Sequence, residues 1–187
     1  MNRDVKRIGK NEQIALRFLI DNIKSKAVYV GGVADYINLR SHKEMRIKDI
    51  DIIVNYRDCL KPLYDNYHMA YKDNITYPGI SKEYYICDFP PAKWVRMDIF
   101  IADTKDIDIV HKKILGEMVK CASPSYMYSF HAREVQRLTG NESYLDFRDR
   151  IEKHRKKAVA YLEVYSNLKL VEIDFEKYAT DPYLQKW

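Results

Sequence analysis

The feature that most restricts how this 187-residue chain can fold is the run Asp49-Ile50-Asp51-Ile52-Ile53-Val54. In an extended strand, successive side chains leave opposite faces. Asp49, Asp51 and Ile53 therefore share one face, and Ile50, Ile52 and Val54 the other. Aspartate is a poor strand former, yet the rest of the run is strongly apolar and branched at Cβ. Two carboxylates fixed on one face of a buried strand demand compensation from whatever surrounds them.

Residues 27–30 (AVYV) form a short apolar run ending at Gly31-Gly32, which predicts a buried strand entering a tight turn. Residues 83–89 and 94–102 predict two more strands, separated by Pro90-Pro91. The second alternates, with Val95, Met97, Ile99 and Ile101 on one face and Arg96, Asp98 and Phe100 on the other. A first amphipathic helix is predicted over 11–26, where Leu16, Leu19, Ile20 and Ile23 recur at helical spacing, and a second over 33–39. A helix over 57–69 must hold Pro62 in its first turn or break there. Residues 41–48 read as a polar loop, and 73–82 as a turn-rich connection.

Beyond residue 104 the pattern reads as helical over 106–119, 123–138 and 144–168, and the aromatic, acidic tail after Val171 has no placement. The expected fold class is α+β, a small mixed β-sheet with flanking helices followed by a helical C-terminal half. The expected division is a catalytic core over 1–103 and a helical region over 104–187 packed on it.

Composition narrows the setting. With 47% hydrophobic and 13% aromatic residues there is enough apolar surface for a core. The net charge of +5, from 32 basic and 27 acidic residues, suits a partner bearing phosphates without requiring one. Cys59, Cys87 and Cys121 lack metal-ligand spacing and are odd in number, so they read as buried free thiols. The N-terminal residues are charged where a signal peptide needs an apolar core, and no apolar run approaches the roughly 20 residues that span a bilayer. A soluble, cytoplasmic protein with no membrane partner is expected.

Asp49 and Asp51 repel one another unless a cation lies between them. A divalent ion that prefers oxygen resolves the repulsion, Mg²⁺ first and Mn²⁺ second. If the strand bearing Asp98 lies beside the first, Asp98 joins the cluster and a site for two ions results. Two metals about 3.5–4 Å apart stabilise the entering and leaving oxygens of an in-line phosphoryl displacement. Gly31-Gly32 would let backbone N–H groups approach phosphate oxygens, at the start of a helix whose dipole favours negative charge.

The elements VYVGGVADYI, KDIDIIV and VRMDIFI together resemble the nucleotidyltransferase superfamily with the DNA polymerase β type of fold. Its pattern is a Gly-Gly or Gly-Ser turn, Asp-x-Asp on a strand, and a third Asp on a later strand. Here 16 residues separate Gly32 from Asp49, and the resemblance spans about 27–102. The context is most similar to the head of CCA-adding and poly(A) polymerase enzymes or to small antibiotic nucleotidyltransferases. The resemblance implies that Asp49 and Asp51 hold two Mg²⁺ ions, and that Asp98 completes the second and helps activate an acceptor hydroxyl. That hydroxyl attacks the α-phosphate of a nucleoside triphosphate such as ATP, and pyrophosphate leaves. Gly31 and Gly32 would bind the β- and γ-phosphates. Arg46 and Lys48 lie close enough in sequence to help neutralise them, or belong to a solvated loop.

The acceptor stays open between an RNA 3′ end, tRNA included, a small hydroxylated molecule and a protein side chain. Two other classes also remain, a catalytically silent nucleotide- or RNA-binding module of the same fold, and an interaction subunit docking through the tail over 175–187. The second Asp-x-Asp, at Asp106 and Asp108, lacks an upstream Gly-Gly and precedes a helical pattern, so both aspartates read as capping residues. The basic run over 148–157 reads either as a solvated helix face or as a patch facing phosphate, with Tyr144, Phe147 and Tyr161 near it. The five histidines show no ligand spacing and read as surface or partly buried side chains.

Overall fold

The expected apolar stripe organises the first helix. Helix α1 (Lys10–Ile23) buries Ala15, Leu16, Leu19, Ile20 and Ile23. The chain then enters β1 (Ala27–Tyr29), buried along its whole length, and turns at Gly31 into α2 (Gly31–Asn38). The computed structural model describes residues 8–40, 46–65, 67, 69–71, 83–89, 95–139 and 145–171. The turns read over 73–82, the loop over 41–45, Pro90-Pro91, Tyr144 and the tail after Val171 lie outside the described residues.

Strand β2 (Ile50–Val54) carries the acidic run. The helix expected over 57–69 is shorter than its pattern. A 3₁₀ turn at Arg57–Leu60 leads into one turn of helix, α3 (Lys61–Tyr64), with Pro62 in its first turn as the sequence requires. By Met69 the chain is already in strand β3 (Met69–Tyr71), which pairs antiparallel with β4 (Glu83–Asp88). Strand β5 (Arg96–Ile101) carries the third aspartate.

The segment over 106–119 departs from its expected helix. It forms a β-hairpin of β6 (Ile109–Ile114) and β7 (Glu117–Ala122), paired antiparallel. The two residues between the strands are Leu115, at φ 50°, and Gly116, at φ 88°. Positive φ at both positions is the backbone of a two-residue turn whose twist matches its flanking strands. Asp108 is therefore no helix cap. It precedes β6, and its carboxylate accepts a hydrogen bond from Ser123 Oγ at 2.5 Å. The helical part of the C-terminal half begins at Pro124, with α4 (Pro124–Leu138), capped by Ser123 Oγ accepting from the Tyr126 N–H at 3.0 Å. It continues with α5 (Leu145–Val164).

Among the described residues, seven strands form one mixed sheet in the order β3-β4-β5-β2-β1-β7-β6. β2 runs parallel to β5 on one side and antiparallel to β1 on the other, and β7 lies parallel to β1. α4 packs against both α5 and α2, closing a helical layer beside the central strands. Cys59, Cys87 and Cys121 are free and buried, as expected. Burial pushes the thiol of Cys87 up to about 11 and that of Cys121 to about 12, so both stay protonated and inert. Among the described residues, no helix is long and apolar enough to cross a membrane.

Candidate active site

Register places the carboxylates. In the parallel pair of β2 and β5, Asp51 lies directly beside Asp98, and facing residues on neighbouring strands point the same way. Asp49 precedes β2 by one residue and shares the face of Asp51 by alternation. One ligand oxygen from each of Asp49, Asp51 and Asp98 lies within 4.8 Å of the others. Three carboxylates this close oppose each other's ionisation. Burial, followed by the charges of Asp49 and Asp98, pushes Asp51 up to about 7. Arg96, two residues before Asp98 on the same face, donates from Nε to Asp98 Oδ1 at 2.6 Å. An all-oxygen donor set with excess negative charge fits Mg²⁺ or Mn²⁺, and these side chains are the ones that would hold such an ion.

The Gly31-Gly32 turn closes over the same cluster. Gly31 adopts φ 51°, and a Cβ there would overlap the Asp51 carboxylate, reaching 2.7 Å from its Cγ. The Gly32 N–H donates to Asp51 Oδ2 at 3.3 Å. A Cβ on Gly32 would meet Asp49 Oδ1 at 3.6 Å, an ordinary contact. The two glycines thus have different reasons to be there. Gly31→Ala is expected to cost more than ~2 kcal/mol, from left-handed strain and displacement of Asp51. Gly32→Ala should stay within ~1 kcal/mol of wild type. Urea unfolding of both variants measures this, and equal losses would contradict the assignment.

A cavity of about 630 Å³ opens above the cluster. Gly31, Gly32, Asp49 and Asp51 form its floor, with Arg46 and Lys48 at its side. Both basic residues are exposed. The opposite wall is α5, which contributes Lys153, Lys156 and Lys157. Enclosure in the cleft and the neighbouring Lys157 charge lower Lys153 below the ordinary lysine range, against the pull of Asp49, Asp51 and Asp35. Within the run over 148–157, Lys153, Lys156 and Lys157 line the cavity. The i, i+4 spacing of Lys153 and Lys157, continuing to buried Tyr161, was the available signal.

Behind this wall lies a network that residue spacing did not reveal. Asp35, on α2, is 1% exposed. His131 on α4 contacts its Oδ1 through Nε2 at 2.9 Å, and Tyr161 on α5 donates to Oδ1 at 3.0 Å. Lys157 Nζ donates to Oδ2 at 2.5 Å. Burial alone would raise Asp35, but His131 and the Lys157 ammonium outweigh it and hold the carboxyl well below the usual range. His131 Nδ1 in turn lies 2.9 Å from His154 Nδ1. Burial depresses both imidazoles, His154 to about 2, so both are neutral near pH 7. His131 is thus a core side chain and not a surface one.

This arrangement gives acid stability a definite sign. Below about 6.5 the unfolded chain protonates both histidines, while the fold keeps His154 neutral and holds His131 below its ordinary range. The unfolded state is favoured by ~1.4 kcal/mol per pH unit for each proton. In the metal-free protein Asp51 acts oppositely, taking up a proton in the folded state below about 7. The net fall should therefore reach at most one proton, ~1.4 kcal/mol per pH unit, between pH 6 and 5. Asp35 adds a further loss only below its ordinary value of 3.8. Denaturant titrations across this range measure the slope, and rising stability on acidification would contradict the neutral histidine pair.

No protein-family model and no curated protein matches the sequence. Solved structures do. The Megavirus polyadenylate synthase superposes with a TM-score of 0.53 at 14% identity, covering 86% of this chain. The chain spans only 34% of that synthase's length. An antigenic nucleotidyltransferase-like protein from Paracoccidioides brasiliensis superposes with a TM-score of 0.50 at 14% identity, over 82% of this chain and 75% of its own. The chain shares its fold with these two structures, a mixed α+β sheet that brings Asp49, Asp51 and Asp98 together beside the Gly31 turn.

Proposed function

We propose that the chain is a divalent-metal-dependent nucleotidyltransferase, moving a nucleoside monophosphate from a nucleoside triphosphate to an acceptor hydroxyl. The observation that carries this reading is the convergence of Asp49, Asp51 and Asp98 within 4.8 Å beneath the Gly31 turn. A purely structural strand gains nothing from three carboxylates at mutual risk of repulsion. Asp49, Asp51 and Asp98 would hold two Mg²⁺ ions, with Mn²⁺ as substitute. Bound metal supplies neutralisation of phosphate charge and a more acidic attacking hydroxyl.

The remaining work falls to the chain. Gly31 and Gly32 line the cleft, and the backbone at the start of α2 would bind the β- and γ-phosphates, aided by the helix dipole. Arg46, Lys48 and Lys153 would neutralise the triphosphate from two sides of the cleft. The acceptor oxygen forms a bond to the α-phosphorus, and the bond from that phosphorus to the bridging oxygen breaks. Pyrophosphate leaves with the electron pair, and the hydroxyl proton passes to the Asp98 carboxylate.

The test is incubation with each α-labelled nucleoside triphosphate, Mg²⁺ or Mn²⁺, and extracts of RNA, protein and small molecules. Label should enter one fraction, name the acceptor class, and vanish in Asp49→Asn. Joint substitution of Asp106 and Asp108 by Asn should leave incorporation within about twofold of wild type. A loss there equal to that of Asp49→Asn would overturn the choice between the two Asp-x-Asp runs. Metal-dependent triphosphate binding with no label in any fraction would instead favour the silent binding module.

A further inference from the structure

The Asp35–His131–His154 chain has a direction. Asp35 is ionised and can only accept, so the proton on its 2.9 Å contact sits on His131 Nε2. A neutral His131 then presents a lone pair at Nδ1. Its 2.9 Å contact with His154 Nδ1 requires the proton to be on His154. A neutral His154 protonated at Nδ1 is left with a bare Nε2. Among the described residues this nitrogen has no hydrogen-bond partner, and His154 lines the same cleft as Asp49 and Asp51.

We propose that His154 Nε2 is a fixed hydrogen-bond acceptor that reads a hydroxyl group of the substrate. The chemistry of the cleft selects that group. A bare imidazole nitrogen repels phosphate oxygens, which the neighbouring lysines would take instead. Lys153 and Lys157, on the same turn of α5, disfavour a cationic donor at this point. A neutral donor remains, and in the transfer reading both the nucleotide sugar and the acceptor present a neutral O–H. The inference rests on the transfer reading, under which two sources supply it, the sugar of the bound nucleotide and the acceptor. Asp35 and His131 are positioning residues here, since they fix which nitrogen of His154 carries the proton.

Two measurements on the full chain test this. Long-range ¹H–¹⁵N spectra of the imidazoles should show His154 protonated at Nδ1 and bare at Nε2, and the opposite tautomer would overturn the proposal. The second measurement uses His154→Asn, whose side-chain amide keeps a donor at the Nδ1 position but offers nothing at Nε2. Affinity for a non-hydrolysable ATP analogue and its 2′-deoxy and 3′-deoxy forms is compared in the presence of Mg²⁺. If the sugar is read, wild type should prefer the hydroxylated analogue by about three- to tenfold over one deoxy form. His154→Asn should bind them equally, and His154→Gln, with its carbonyl near the Nε2 position, should restore part of the preference.

If the acceptor is read, all analogues bind alike to both proteins. Transfer from α-labelled ATP to the extract fraction that takes label should then fall about three- to tenfold in His154→Asn. Equal weakening toward every analogue, or no change in any arm, would overturn this inference alone. Absence of any nucleotide binding by wild type would overturn the transfer reading and this ligand assignment together.

Discussion

Asp98→Asn is expected to lower nucleotidyl transfer on the order of 10³-fold, about 4 kcal/mol of added barrier, while triphosphate affinity stays within a fewfold of wild type. The two effects separate because Asp98 enters the site from a different strand than the other carboxylates. Asp49 and Asp51 lie beside the Gly31 turn and line the cavity, and in the proposed reaction they would hold the metal that arrives with the triphosphate. Asp98 is reached through Asp51, its direct neighbour across the β2–β5 pairing, and is 8% exposed. In the proposed reaction it takes the proton of the attacking hydroxyl, which asparagine cannot do. The substitution keeps an oxygen for the Arg96 guanidinium, so the local hydrogen bond survives and the fold should be unaffected. Single-turnover incorporation and equilibrium binding of α-labelled triphosphate read the two quantities separately. Equal losses in binding and turnover would place Asp98 with the triphosphate metal, and unchanged turnover would remove it from the reaction.

Asp35→Ala should destabilise the fold by about 3–5 kcal/mol, a large share of the roughly 5–15 kcal/mol that holds a domain together. The carboxylate accepts from His131, Tyr161 and Lys157 at once, and it joins α2 to both C-terminal helices. Its removal leaves a lysine ammonium, half-withdrawn from water, without its counter-charge. It also leaves the buried donors of His131 and Tyr161 without an acceptor. Lys157→Met in the Asp35→Ala background removes the orphaned charge and should recover part of the loss. A double-mutant cycle in urea therefore measures the coupling. Additive losses would show that the two side chains do not act as a pair. Because α2 begins at the Gly31 turn, Asp35→Ala should also loosen the cleft, seen as weaker triphosphate binding under conditions where the variant remains folded.

Local chemistry made one part of the site readable. Asp49 and Asp51 were visible because two carboxylates interrupt a run that otherwise reads as buried strand, and Asp98 because the same break recurs between Met97 and Ile99. Gly31 was visible as the end of an apolar run, and its φ of 51° gives the reason for glycine there. The hairpin over 109–122 was misread for an equally local reason. Ile107, Val110 and Ile114 fall at spacings of three and four, which mimic a helical stripe. Gly116 inside that stripe, and the alternation of buried Val119 and Cys121 after it, were the contrary signals.

The sequence by itself determined the fold class, the strand carrying each aspartate and the glycine turn, because period-two alternation and backbone freedom are properties of a few adjacent residues. Only the tertiary structure decided that Asp51 and Asp98 are immediate neighbours, that Lys153 shares a cleft with Asp49 and Asp51, and that Asp35, His131 and His154 form a connected chain. Those contacts join residues 47, 96 and 23 positions apart. Strand order and helix packing set such distances, and no local pattern encodes them.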